Sequence, residues 1–230
     1  MRSSKWHAAG NVYLLTEGRL EPKQVPGLVG DADGILEIVA AGRDWVEVVI
    51  WNADGSQAEM SGNGTRIAAR WLADRTGADE VRVRVGPREV VARILDGEVE
   101  QELGEVRVHA RERIAGLEVT PVDVGNPHAV VVGDPDDLPL IGPLLETHPR
   151  FPNRTNVQVV RVDRPGEVTA RVWERGVGET TASGSSAVAV AAATHGDGDV
   201  LVHFPGGDLR VRLESGRATL TGPAEPLDAP

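Results

Sequence analysis

One short pattern occurs twice in this chain, and it limits the fold more than any other feature. Trp51-Asn52-Ala53-Asp54-Gly55-Ser56-Gln57-Ala58-Glu59-Met60-Ser61-Gly62-Asn63-Gly64 is echoed by Trp173-Glu174-Arg175-Gly176-Val177-Gly178-Glu179-Thr180-Thr181-Ala182-Ser183-Gly184-Ser185-Ser186. Each copy is a β-type run ending in Trp, then a Gly-bearing loop, then Ser-Gly opening an apolar helix. A second echo sets Gly10-Asn11 before Val12-Tyr13-Leu14-Leu15, and Gly125-Asn126 before Ala129-Val130-Val131. Corresponding elements recur in the same order, which is the mark of a duplicated domain; two copies are too few for a solenoid. The expectation is two similar lobes, residues 1–114 and 115–230.

Between these landmarks the texture is β. Trp45–Ile50, Val81–Val85, Glu89–Ile94, Ala129–Val132, Val157–Val160 and Leu209–Leu213 are short apolar runs. Several alternate with charged residues, as a sheet with one wet face requires. Turn pairs such as Asp96-Gly97 and Pro165-Gly166 bound them. Helical spacing is confined to three stretches. About Asn63 to Asp74 places Ile67, Ala68, Trp71 and Leu72 on one face. About Ser185 to Thr194 is apolar all round and has no wet side, so it belongs inside its own lobe. The third, near Leu138 to Glu146, is interrupted by Pro139 and Pro143.

Composition narrows the function classes. A net charge of -11 with no long basic run argues against a nucleic-acid partner, which needs a positive stripe. No apolar stretch approaches the roughly 20 residues of a membrane span, and the start shows no signal-peptide core. Cysteine is absent, so disulfides and thiolate metal sites are excluded. The six histidines show no metal-binding spacing. These features read as a cytoplasmic protein without a structural metal.

A helix opened by Ser-Gly presents unpaired N–H groups and the positive end of its dipole, and glycine lets a ligand approach the backbone. Two such ends facing one another would bind a carboxylate. Serine is equally a good N-cap, so Ser61 and Ser183 also fit a purely structural role. Around them, Asn11, Asn52, Asn63, Asn126 and Asn156 lie at strand ends or turns, where asparagine is common for local reasons. Glu174-Arg175 closes an apolar strand. Amides with one acid and one guanidinium suit a zwitterionic amino acid.

With those residues in place, the chain resembles the diaminopimelate epimerases. Lys5-Trp6-His7-Ala8-Ala9-Gly10-Asn11 is similar to the family's opening motif, and Asn52–Ser56 with Glu59–Arg66 to its first active-site signature. Gly125-Asn126-Pro127-His128, Phe151-Pro152 with Thr155-Asn156-Val157, and Trp173–Thr180 resemble its later signatures. Pro205-Gly206-Gly207 and Leu220–Ala224 fit its ending. The resemblance implies an α+β fold of two similar lobes related by pseudo-two-fold symmetry, each a curved, mostly antiparallel sheet around a central helix. It implies a cofactor-free homodimer of lysine biosynthesis that interconverts LL- and meso-diaminopimelate. One base removes the α-proton and a second protonates the opposite face, each at a helix N-terminus. Those catalytic positions are Ser61 and Ser183, flanked by His128 and Glu174. Backbone groups of Gly62-Asn63 and Gly184-Ser185 would hold the α-carboxylate. Asn11, Asn52, Asn126, Asn156, Glu174 and Arg175 would hold the amino groups and the distal carboxylate.

The chain departs from the pattern where the chemistry is done. Both positions that are cysteine in the family are serine, and the family's Cys-Gly-Thr-Gly reads Ser183-Gly184-Ser185-Ser186. The Gly-Ile-Gly-Ala-Asp-Gly stretch reads Gly30-Asp31-Ala32-Asp33-Gly34, after a shortened segment carrying Pro22 and Pro26. A thiol has a pKa of about 8.5 and an unassisted hydroxyl lies near water, at about 15.7. That gap of roughly 7 units is about 10 kcal/mol, whereas a helix dipole contributes about 0.3–2 kcal/mol. A serine base therefore needs a partner to take its proton, and the matched candidates are His128 and Glu174. Three readings remain open from sequence: a serine lineage that epimerises this or another amino acid, a chain whose cysteines were replaced to trap a ligand, and an amino-acid-binding relative without the chemistry.

Overall fold

The structure is a computed structural model that describes residues 2–58 and 60–227; Met1, Glu59 of the first repeated motif, and residues 228–230 lie outside the described residues. The chain divides into two compact units, Met1–Glu102 with Thr221–Pro230, and Leu103–Leu220. The sequence expectation was one crossing at 114/115. Instead the chain changes unit inside the strand Glu98–Glu105 and returns inside the strand Arg217–Pro223. The last strand, Glu225–Pro226, then pairs with Trp6 and His7. A boundary buried in continuous strands carries no Gly/Pro-rich linker, so local sequence has no signal for it.

In the first unit, Arg2–Ala8 and Asn11–Glu17 form an antiparallel hairpin. Asn11–Glu17 runs parallel to Gly34–Ala41, which is antiparallel to Trp45–Asn52. Trp45–Asn52 is parallel to Glu80–Val85, and Arg88–Leu95 follows antiparallel. The first parallel crossover carries a single helical turn, α1 (Val25–Leu28), and the second carries α2 (Gly62–Thr76).

The second unit repeats this order. Leu117–Asp123 and Pro127–Val132 are antiparallel, Pro127–Val132 is parallel to Asn156–Arg164, and Glu167–Glu174 is antiparallel to that. Glu167–Glu174 is parallel to Gly198–Phe204, with Gly207–Glu214 antiparallel beyond. The crossovers carry α3 (Leu138–Glu146) and α4 (Gly184–Thr194). Irregularities repeat too: the register shifts between Ile38 and Ala40 in one unit, and between Val162 and Arg164 in the other. The α+β class and the mostly antiparallel sheets match the sequence expectation, as do all three expected helices. In α3, Pro139 sits in the first turn, where its missing N–H is not needed.

Helix α2 starts at Ser61 and stops at Gly77, whose φ of 69° is the left-handed conformation of a helix end. Ile67, Ala68, Trp71 and Leu72 are buried against Val46, Val48, Ile50, Val81 and Val83. Each fully buried apolar side chain contributes roughly 1.5–3 kcal/mol, so this face pins the helix start, where Ser61 sits, to the sheet. In α4, Ser186 to Ala191 are all buried, as an all-apolar helix demands.

Candidate functional site

In the first unit the polar groups converge on the start of α2. The Ser61 hydroxyl accepts from the Gly64 N–H at 3.0 Å and meets the Tyr13 hydroxyl at 3.1 Å. A Cβ at Gly64 would come within 2.9 Å of Leu36 Cδ2, so the buried leucine would have to shift to admit one. Asn63 donates to Asn11 Oδ1, and Arg66 donates to Asn63 Oδ1. The Asn11 strand is anchored by Asp33, which accepts from the Val12 N–H at 2.8 Å and from Asn11 Nδ2 at 3.4 Å. Arg66 is fully buried, and its remaining bonds go to Gly62 O and Pro223 O, both at 3.4 Å. Desolvation lowers its pKa to about 10, still a cation at neutral pH. A fixed positive charge thus lies within the first turns of a helix whose dipole is already positive there. Asn52 stands apart from this network: it is exposed and donates to Ser56 Oγ at 2.9 Å.

In the second unit Ser183 occupies the corresponding N-cap, in extended conformation, but its side chain makes no capping bond. His128 is buried between Asn126 Oδ1, 3.0 Å from Nε2, and Gln158 Nε2, 3.0 Å from Nδ1. Gln158 also donates to Ser186 Oγ at 2.9 Å, which ties the chain of bonds to α4. Burial pushes the His128 pKa down to about 3, outweighing the Gln158 bond, and the Arg175 charge adds to the shift. The ring is therefore neutral, with Nε2–H facing Asn126. Asn156 is buried; it donates to Pro127 O at 3.0 Å and accepts the Arg175 N–H at 3.0 Å. Glu174 accepts from Thr180 Oγ1 at 2.6 Å, and burial raises its pKa. The Arg175 side chain is exposed, 3.4 Å from Asn153 O.

The expected partnership of a serine with His128 or Glu174 is not formed within the second unit. Both His128 ring nitrogens are taken, and Glu174 is held by Thr180. Three supporting residues escaped the sequence reading. Tyr13 reaches Ser61 across 48 positions of sequence, beyond any local pattern. Glu37 and Glu146 each accept the indole N–H of the strand-ending tryptophan, Trp51 or Trp173, at 2.8 Å. Glu146 also accepts the Gly176 N–H at 2.8 Å, which shapes the turn after Arg175. The paired tryptophans were the available signal, since a buried indole N–H requires an acceptor.

Comparison with known proteins accords with this arrangement. The profile of a family described as diaminopimelate epimerase matches residues 27–109 and 120–226. The diaminopimelate epimerase of Pelotomaculum thermopropionicum is 36% identical, over 98% of this chain and 96% of its own length. This chain belongs to the diaminopimelate epimerase family. The Synechocystis diaminopimelate epimerase is also 36% identical, over 96% of this chain and 95% of its own length. Among solved structures, a phenazine biosynthesis protein of the PhzF family from Bacillus anthracis superposes with a TM-score of 0.73 at 10% identity, covering 98% of this chain and 96% of that one. A hydroxyproline epimerase from Agrobacterium vitis, with bound trans-4-hydroxy-L-proline, gives 0.66 at 16% identity, covering 97% and 88%. These two likenesses concern the fold alone. Among the described residues no helix is long and apolar enough to cross a membrane, and no group of His, Asp and Glu is arranged to hold a metal ion.

Proposed function

We propose that this protein is a cofactor-independent amino-acid epimerase that interconverts LL- and meso-diaminopimelate by two-base proton transfer. Ser61 serves one face of the α-carbon and Ser183 the other. The observation that carries this reading is the repeated Ser-Gly helix start, placed at the same point of the same strand order in both units. The N–H groups of Gly62 and Asn63, and of Gly184 and Ser185, hold the α-carboxylate, because each helix start offers unpaired donors and positive potential. Asn11, Asn126, Asn156 and Arg175 hold the amino groups and the distal carboxylate; Asn52 and Glu174 complete that set.

His128 contributes as a neutral group that fixes Asn126, since its ring has no nitrogen left to accept a proton. Glu174, raised by burial, is the ionisable group on the second unit's side of the reaction. The same reading places the protein in the cytoplasm, as a homodimer in lysine biosynthesis, with a small amino acid as its ligand and no nucleic-acid or membrane partner.

The test is solvent-deuterium incorporation at the α-carbon of LL- and meso-diaminopimelate, followed by NMR. Exchange in the unaltered protein, abolished by Ser61→Ala and by Ser183→Ala, is the expected result. Binding of diaminopimelate without any exchange would leave an amino-acid-binding relative in place of an enzyme.

A further inference from the structure

We infer that Tyr13 is the proton-relay partner of Ser61, so that one face of the reaction is run by a tyrosine–serine dyad. This rests on the epimerase reading above and adds to it a residue that positions and reprotonates the catalytic hydroxyl.

The geometry limits how the Ser61 hydroxyl is used. A hydroxyl has one proton and two acceptor sites, and one acceptor site is spent on the Gly64 N–H. With Tyr13 as a neutral phenol donating across the 3.1 Å contact, the second acceptor site is filled and the serine proton points away from both partners. That is the form needed to protonate a carbanion. With Tyr13 as a phenolate, the serine proton turns toward Tyr13 and an oxygen lone pair is exposed instead. That is the form needed to remove an α-proton. The two proton arrangements of one dyad therefore match the acid and base duties that an epimerase face performs in its two directions.

The step balances. In the base direction Ser61 Oγ takes the α-proton from carbon, its own proton passes to the Tyr13 oxygen, and the carbon keeps the electron pair. In the acid direction Ser61 gives its proton to the carbanion and Tyr13 replaces it. At neutral pH a phenol of pKa about 10 is ionised about 10⁵-fold more often than a hydroxyl of pKa about 15.7. Tyrosine thus narrows the deficit that serine brings to a position held by cysteine in the family.

The surroundings favour this placement. Tyr13 lies opposite Trp6 on one side and Gly34 on the other. A Cβ at Gly34 would sit 3.0 Å from Tyr13 Cε1 and 2.5 Å from Trp51 O, so the absent side chain makes room for the ring. Lys5 pairs with Asp31, His7 Nε2 accepts the Gly10 N–H, Asp33 holds the Val12 N–H, and Glu37 holds Trp51.

Because Tyr13 is the chain's one tyrosine, biosynthetic 3-fluorotyrosine labels it alone, and a single ¹⁹F resonance reports its ionisation. Tyr13→Phe is expected to lower the α-proton exchange rate about 10²-fold or more, with KM changed less than about threefold. Fluorotyrosine, a weaker base with the same shape, is expected to move the rising limb of the pH–rate profile to lower pH, in step with the ¹⁹F titration. Unchanged rate and pH profile in both proteins, while Ser61→Ala is silent, would overturn the relay and leave the epimerase standing. Silence of the unaltered protein toward diaminopimelate would remove both.

Discussion

The starts of α2 and α4 are built on one backbone plan and furnished with opposite chemistry. Both follow a tryptophan-ended strand, a short return strand and an extended Ser-Gly cap. At α2 a buried cation, two linked asparagines and a tyrosine surround the serine. At α4 the position corresponding to Arg66 is Val188, and the polar chain from Asn126 through His128 and Gln158 to Ser186 is uncharged. The contrast teaches that the duplication preserved the Ser-Gly helix start and left each unit to furnish its surroundings separately. The proposed two-base reaction permits this, since the two faces of the carbon never need the same base.

The largest effect expected from breaking the contrast is at Arg66. Arg66→Ala removes its bonds to Asn63 Oδ1, Pro223 O and Gly62 O and opens a cavity, at a cost of about 3–5 kcal/mol in urea unfolding. A variant as stable as the parent would show that the cation is dispensable to the first unit.

Acid exposes the other side. Burial holds the His128 pKa at about 3 in the folded chain against an ordinary value of 6.5, so between these values the unfolded chain binds a proton that the folded chain does not. Stability from this group is complete above about pH 6.5, falls as pH drops through the window, and levels off below about pH 3. The expected loss is a few kcal/mol, read from urea midpoints at several pH values, and His128→Gln should flatten the slope.

The smallest effect compares the two serines as caps. Ser61→Ala should lower stability by about 1 kcal/mol, because it removes the bond to the Gly64 N–H. Ser183→Ala should stay within about 0.5 kcal/mol, because no cap bond is lost. Equal losses would mean that the two starts are held alike after all.

What could be read ahead of the structure was whatever repeats or alternates. The apolar face of α2, the all-apolar α4 and the Val-rich strands follow from periodicity, and family resemblance located Ser61, Asn63, His128 and Asn156. The partners of those residues could not be read, because they come from distant strands. Tyr13 is a half-buried strand residue whose role depends on which strand lies beside α2. Arg66 reads as an ordinary polar position on a helix, and only the packed structure shows it sealed from water. Within the second unit no serine is partnered by His128, for a similar reason. Gln158, whose amide donates to the ring Nδ1, lies in an apolar run whose side-chain bonds sequence does not reveal.

The return of the chain to the first unit has a consequence for assembly during synthesis. Pro223, whose carbonyl accepts from Arg66, and the strand Glu225–Pro226 beside Trp6 and His7 emerge from the ribosome after all of Leu103–Leu220. The second unit is a continuous segment and can finish first. Until then the first unit lacks the pairing partner of Trp6 and His7 and the Pro223 acceptor for Arg66, and an open sheet edge is prone to mispairing. The tail is the latch that closes the first unit.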